Sequence, residues 1–410
     1  MSAEWTFMVY MAGYNNLSEA AGTDLEEMRQ VGSSDKVKLL AFVKQLDQRS
    51  AYHVLVGKDG KGEKKETLGN KDSGDPQTVL DFIRWGVKTA PAKRYALVFW
   101  NHGSGWEPQD FEEIYSQVRG DVTEGETREF SFRANQPIAR SVFTTTLRHF
   151  LELNREERAI CSDDGSGHSL DTIELGRVLK AGVKEIGQKF DLVGMDACLM
   201  SNLEVAYQIR GEADALVGSE ELEPNAGWPY HRILADLASK PTMDGPALAK
   251  TVVERYVASY KNSDREWPVT QCAVATEEAT EFSEAVDAVS KALRDQLKSD
   301  WKPVLQSHLR SVPFEMKLVD LKTFCEGLRA SSAKSPLKGA AGKLLEAMKP
   351  NGYVLAEGHL GGKVQRCGGI SIYFPAASDS VSRFYRDLRF SKSHDWDDFL
   401  RSYSRAVREG

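Results

Sequence analysis

Six short apolar runs, at residues 5–11, 37–43, 52–57, 95–101, 191–196 and 214–219, punctuate the first half of the chain. Each has the length and the β-branched or aromatic content of a buried strand. Between them, apolar residues recur at helical steps over 17–31, 76–89, 172–186 and 199–209. Strands that alternate with helices imply a largely parallel sheet, because a parallel crossover needs room and its helices then cover both faces. The expected fold is therefore an α/β three-layer sandwich, α/β/α, around a mostly parallel central sheet.

The second half is more helical. Asp244 can cap a helix whose first turn holds Pro246, with Leu248, Val252 and Tyr256 on one face. Phe282, Val286, Val289, Leu293 and Leu297 form an apolar stripe that reads as core packing. Two further strand-like runs, 268–276 and 369–374, are expected to extend the central sheet. That reading gives a core over 1–235 and a largely helical C-terminal extension over 236–410, packed on the core. The stretch 107–158 breaks the rhythm. It is far longer than the usual connection of about 4–6 residues, and it carries seven arginines but no lysine.

Composition excludes several classes. A net charge of −7 offers no broad basic surface for nucleic acid. The densest basic stretch, 58–65, also carries acids and glycines, and reads as a solvated hairpin loop. No run approaches the roughly 20 apolar residues of a membrane helix. Five scattered cysteines make no disulfide framework, and no CxxC or HExxH spacing suggests zinc. The N-terminal MSAEWTFMVYMAG lacks a basic leader region, so a cytoplasmic, reducing location is expected.

Two strand ends carry reactive residues. The run 95–101 ends at His102, followed by Gly103-Ser104-Gly105, and the run 191–196 ends just before Cys198. Carboxyl ends of parallel strands are where α/β proteins collect their ligands and catalytic groups. If 199–209 is helical, Cys198 sits at a helix N-terminus, whose free N–H groups favour a thiolate. An imidazole beside it can take the thiol proton and return it to a leaving amine. Cys272, Cys325 and Cys367 lie in apolar strand-like or helical sequence and read as structural. Cys161 precedes a polar turn and has no helix start to support it.

The stretches WTFMVYMAGYNNL (5–17), LVFWNHGSGW (97–106), FDLVGMDACLMSNLEVAY (190–207), SEELEPNAGWPY (219–230) and GISIYFP (369–375) resemble, in order, the clostripain family of cysteine peptidases in the caspase-like clan. The resemblance implies a caspase-like fold with a C-terminal extension and endopeptidase cleavage after Arg or Lys. It implies a catalytic dyad of His102 as base and acid with Cys198 as nucleophile. Backbone N–H groups of Gly103 and Cys198 would form the oxyanion hole, and Asp196 would lie in the S1 pocket and pair with a basic P1 side chain. The loop 219–230 would complete that pocket, with Glu221, Glu223 and Asn225 as polar candidates and Trp228 as the apolar wall. Family members carry a self-cleavage point between the two catalytic residues. This chain is accordingly expected to be a zymogen cut within 107–158, with Arg128, Arg133 and Arg140 the central candidates, by itself or by a separate activating protease.

Partners are expected to be protein or peptide substrates with a basic P1, and neither nucleic acid nor membrane. No cofactor is expected. Some relatives respond to calcium, but the acidic pairs Asp163-Asp164 and Glu220-Glu221 lack a calcium-loop spacing, so no required metal is expected. Two alternatives compete. One is a catalytically silent scaffold or regulatory binding protein of the same fold, against which stand intact His102, Cys198 and Asp196. The other is an α/β-hydrolase-type esterase, which fails because Asp171 occupies the last glycine position of the nucleophile elbow G-x-S-x-G in 167–171.

Overall fold

The computed structural model describes residues 2–14, 17–46, 48, 50–101, 103–106, 170–261, 268–350 and 352–409. The expected strands are present as β1 (Ala3–Gly13), β2 (Val37–Gln45), β3 (Ala51–Leu55), β5 (Ala92–Trp100), β6 (Phe190–Asp196) and β7 (Ala213–Gly218). With β4 (Lys64–Gly69), β8 (Val269–Ala275) and β11 (Val354–Leu360) they form a nine-stranded sheet in the order β11-β8-β7-β6-β5-β1-β2-β3-β4. The five central strands, β7 to β2 in that order, pair in parallel. Antiparallel pairs flank them on both sides. Helices α1 (Ser18–Val31), α2 (Pro76–Thr89) and α3 (Thr172–Ile186) supply crossovers where the periodicity predicts them. The fold is α/β with a mostly parallel centre, as its sequence pattern implies.

The central strands are apolar on both faces because helices cover both. Met8, Tyr10, Leu40, Leu97 and Val193 pack on one side, and Phe7, Val9, Leu39, Val98 and Leu192 on the other. A fully buried side chain of this kind contributes about 1.5–3 kcal/mol. The outer strand β4 (KKETLG) is largely exposed, so it has no apolar alternation to betray it. Charged edges of this kind resist pairing with another chain.

Two expectations are corrected. The segment 369–374 does not join the central sheet. Its strand β12 (Ser371–Tyr373) pairs antiparallel with β10 (Leu318–Asp320), which also pairs with β9 (Pro313–Phe314) in a separate three-stranded sheet. Ile370, Ile372 and Phe374 are buried, which suits an interior position. The half-exposed β11 takes the sheet edge instead. The helix expected over 199–209 is also shorter. Helix α4 runs only over Leu203–Gln208, capped by Asn202, whose side chain accepts from the Val205 N–H. Residues 199–202 cannot start a helix because their backbone bonds elsewhere. Ser201 N donates to Ser219 O, Ser201 O accepts from Ser371 N, and Leu199 sits at φ 61°.

Helix α4 also joins the two halves. Glu204 is fully buried and accepts from the Tyr373 N–H at 3.0 Å and the Tyr385 hydroxyl at 2.8 Å. Burial pushes its carboxyl up to about 7. Trp106 lies edge-on to the Tyr373 and Tyr385 rings, each 4.8 Å away. Its carbonyl accepts from Thr172 Oγ1 at 3.1 Å, and Asp171 caps α3 through a reciprocal capping box with Glu174. The long stretch 107–169, which includes the 107–158 insertion with Arg128, Arg133 and Arg140, lies outside the described residues. The chain thus leaves at Trp106 and returns at Leu170, with the two ends bonded to each other and each held by further contacts. A single cut within 107–158 should leave both fragments in one folded particle. Size-exclusion chromatography under native conditions checks this, and separation of the fragments would contradict it.

Candidate active site

The site is set by the register of two neighbouring strands. Trp100, the last residue of β5, pairs with Asp196, the last residue of β6. Parallel neighbours lie about 4.8 Å apart, so the segments that begin at Asn101 and at Ala197 leave the sheet side by side. His102 itself lies outside the described residues, but both of its neighbours are fixed. Asn101 donates from its N–H to Asp196 O at 3.4 Å and from Nδ2 to Ala12 O at 2.7 Å. Trp100 is held from the other face, its indole N–H donating to buried Asp24 Oδ2 at 2.5 Å. Gly103 packs so closely on the following loop that a Cβ there would lie 2.1 Å from the Cys198 carbonyl oxygen and 3.0 Å from its nitrogen. Only glycine permits that approach.

Cys198 is not at a helix N-terminus, since α4 starts five residues later. A backbone donor from another loop faces the sulfur instead. Glu223 N–H points at Cys198 Sγ at 3.1 Å. Leu199 N bonds Glu221 O as well, so the loop after β7 lies across the cysteine, which is 0% exposed. The other described cysteines, Cys272, Cys325 and Cys367, are buried, and burial drives each thiol well above its ordinary range. Cys161 lies outside the described residues.

Asp196 is 0% exposed. Its Oδ2 accepts from the Tyr230 hydroxyl at 3.0 Å and from the Trp228 N–H at 3.5 Å. The six-membered ring of Trp228 packs on the sheet at Gly194, where a Cβ would lie 2.7 Å from it. Sequence left Glu221, Glu223 and Asn225 open as polar candidates of this loop, and the structure separates them. Glu223 is buried, with Oε1 accepting from Gln271 Nε2 of β8 at 3.1 Å. Glu221 turns away to Lys363, whose Nζ lies 2.7 Å from Oε2. Asn225 is exposed, so Asp196, Glu223 and Trp228 come together and Asn225 stays on the rim.

Three further residues belong to this neighbourhood. Tyr230 and Gln271 hold the two acids. Tyr256, on helix α6 (Gly245–Tyr260), is fully buried, and its phenol is raised well above its ordinary range by burial and by the nearby Glu223, Tyr260, Asp196 and Cys198. Tyr230 closes the quoted motif GWPY, so proximity to Trp228 was a usable signal for it. Gln271 and Tyr256 come from the C-terminal half, where their sequence surroundings read only as core.

The arrangement sets a sulfur, two buried carboxylates and a close-packed glycine at the carboxyl ends of adjacent strands. Replacing Gly103 by alanine should destabilise the protein by about 1–3 kcal/mol, the usual cost of forcing volume into a packed site. A denaturant titration reads this directly, and an unchanged midpoint would contradict the close contact with Cys198.

Comparison with known proteins agrees with this fold. The sequence profile of the clostripain family matches residues 9–122 and 150–403. Clostripain of Hathewaya histolytica is 26% identical over 259 residues, covering 56% of this chain and 41% of that protein. The match therefore spans less than half of that relative's length. Two crystal structures share the fold. A secreted C11 cysteine protease of Bacteroides thetaiotaomicron, bound to an irreversible peptide inhibitor, is 19% identical with a TM-score of 0.64, covering 96% of this chain and 99% of that one. An inactive zymogen C11 protease of Parabacteroides distasonis is 20% identical with a TM-score of 0.63, over the same shares. The chain belongs to the clostripain family of cysteine peptidases.

Proposed function

We propose that this protein is a cysteine endopeptidase that cleaves after Arg or Lys and is made as a zymogen. The observation that carries the reading is the flush pairing of Trp100 with Asp196, which starts the His102 and Cys198 segments from the same height on adjacent strands. In the proposed reaction His102 takes the Cys198 thiol proton, and the sulfur attacks the scissile carbonyl. The Gly103 and Cys198 N–H groups receive the oxyanion. His102 then protonates the leaving amine, and water hydrolyses the thioester to release the acid and regenerate the thiol.

Asp196 and Glu223 are the acids that would receive the basic side chain, with Trp228 as the apolar wall. A buried carboxylate suits a guanidinium because the contact is charge-assisted and bidentate. The zymogen reading is supported by the complete burial of both Cys198 and Asp196, since a substrate cannot reach either until the loop over them moves. Cleavage in 107–158 after Arg128, Arg133 or Arg140 is the proposed trigger, and the relative from Parabacteroides distasonis has been captured as an inactive zymogen.

The test is a fluorogenic peptide with Arg or Lys at P1, offered to the intact chain and to chain cut in the insertion. Cut protein should be active and intact protein close to silent. Cys198→Ala should abolish turnover, and His102→Ala should lower it by about 10²–10⁴-fold, the usual worth of a positioned base. Activity that survives Cys198→Ala would refute the dyad, and full activity in the uncut chain would refute the zymogen.

A further inference from the structure

The loop that crosses Cys198 has a second anchor, three residues before Glu223. Glu220 is buried against Asp320 and Cys367, which also are buried. One donor atom from each of the three lies within 4.8 Å of the others. They arrive from separate parts of the chain. Glu220 follows β7, Asp320 caps helix α9 (Leu321–Ala330), and Cys367 precedes the turn at Gly368-Gly369.

Backbone donors satisfy only one side of this cluster. Gly369 N–H donates to Glu220 Oε2 at 3.0 Å, Gly368 N–H to Asp320 Oδ2 at 2.7 Å, and Thr323 N–H to Asp320 Oδ1 at 2.6 Å. Glu220 Oε1 is buried and accepts no hydrogen bond from a donor. Glu220 and Asp320 are in side-chain hydrogen-bond contact, and Glu357 is a further acid nearby. Two carboxyl groups in contact, out of water, need a proton or a cation between them.

We propose that Glu220, Asp320 and Cys367 form a binding site for a divalent cation of the zinc class, which fastens the loop over Cys198 to the C-terminal half. Two oxygens and a sulfur at this spacing suit a tetrahedral, borderline-soft ion, whereas calcium takes a shell of oxygens alone. Three protein ligands leave one corner of the tetrahedron for water. Binding expels the Cys367 thiol proton and the proton shared by the carboxyl pair to solvent, and transfers no electron. Because the ligands must be deprotonated to bind, affinity should weaken as pH falls.

The proposal is independent of the catalytic reading, and its test does not use activity. The full chain carrying Cys198→Ala, which removes the sulfur of the candidate active site, is treated with Zn²⁺ or Co²⁺ and then dialysed. It should retain about one equivalent, melt at a higher temperature than the untreated chain, and show a thiolate-to-cobalt charge-transfer band. Cys367→Ser should abolish the band, and Glu220→Gln should weaken binding by about tenfold or more. Should the serine variant fail to fold, Glu220→Gln still decides, because it keeps the shape of the side chain and can replace the shared proton with an amide N–H. No retained metal and no rise in melting temperature in the parent would overturn the site. So would a band that survives Cys367→Ser, or equal metal binding by Glu220→Gln and its parent.

Discussion

The site depends on one backbone register, the pairing of β5 with β6 that sets Trp100 opposite Asp196. A shift of one residue would turn every side chain of one strand to the other face and separate the two loops. The register is locked because both strands are buried on both faces, so slippage would expose apolar residues on two sides. The indole of Trp100 on Asp24 and the amide of Asn101 on Ala12 O then fix the end of β5 against α1 and β1.

The second control is the loop after β7. Its Glu223 N–H reaches Cys198 Sγ, its Glu221 reaches Lys363, and its Glu220 is buried beside Asp320. The first holds the loop on the cysteine, and the other two tie it to the C-terminal half. Such a cover is stable as long as its acids are paired, and the cost of unpairing a buried charge is high. The C-terminal half also packs on the core through Glu204, which bonds Tyr373 N–H and the Tyr385 hydroxyl.

Much of this was legible in the sequence, for identifiable reasons. Buried parallel strands are continuous apolar runs, and a helix cap such as Asp244 announces itself. The two strand ends with His102 and Cys198 stood out because reactive residues there break an apolar pattern. What escaped was tertiary. Residues 199–202 have helical composition, but Ser219 and Ser371 claim their backbone, so the helix begins late and its N-terminus misses Cys198. The strand β11 is half-exposed and interrupted by Glu357 and His359, so GISIYF looked the better candidate for the sheet edge. Which acid of Glu221 and Glu223 faces inward was decided by Lys363 and Gln271, more than 40 residues away in sequence. No local pattern encodes such a choice.

The account's central claim is that the intact chain keeps its proposed nucleophile covered. The direct measurement is the rate at which iodoacetamide alkylates Cys198, followed by peptide mass spectrometry on native protein before and after a cut within 107–158. The account predicts slow modification of Cys198 in the intact chain and fast modification once the chain is cut, with Cys272, Cys325 and Cys367 protected in both. Equal and rapid modification of Cys198 in both forms would contradict it.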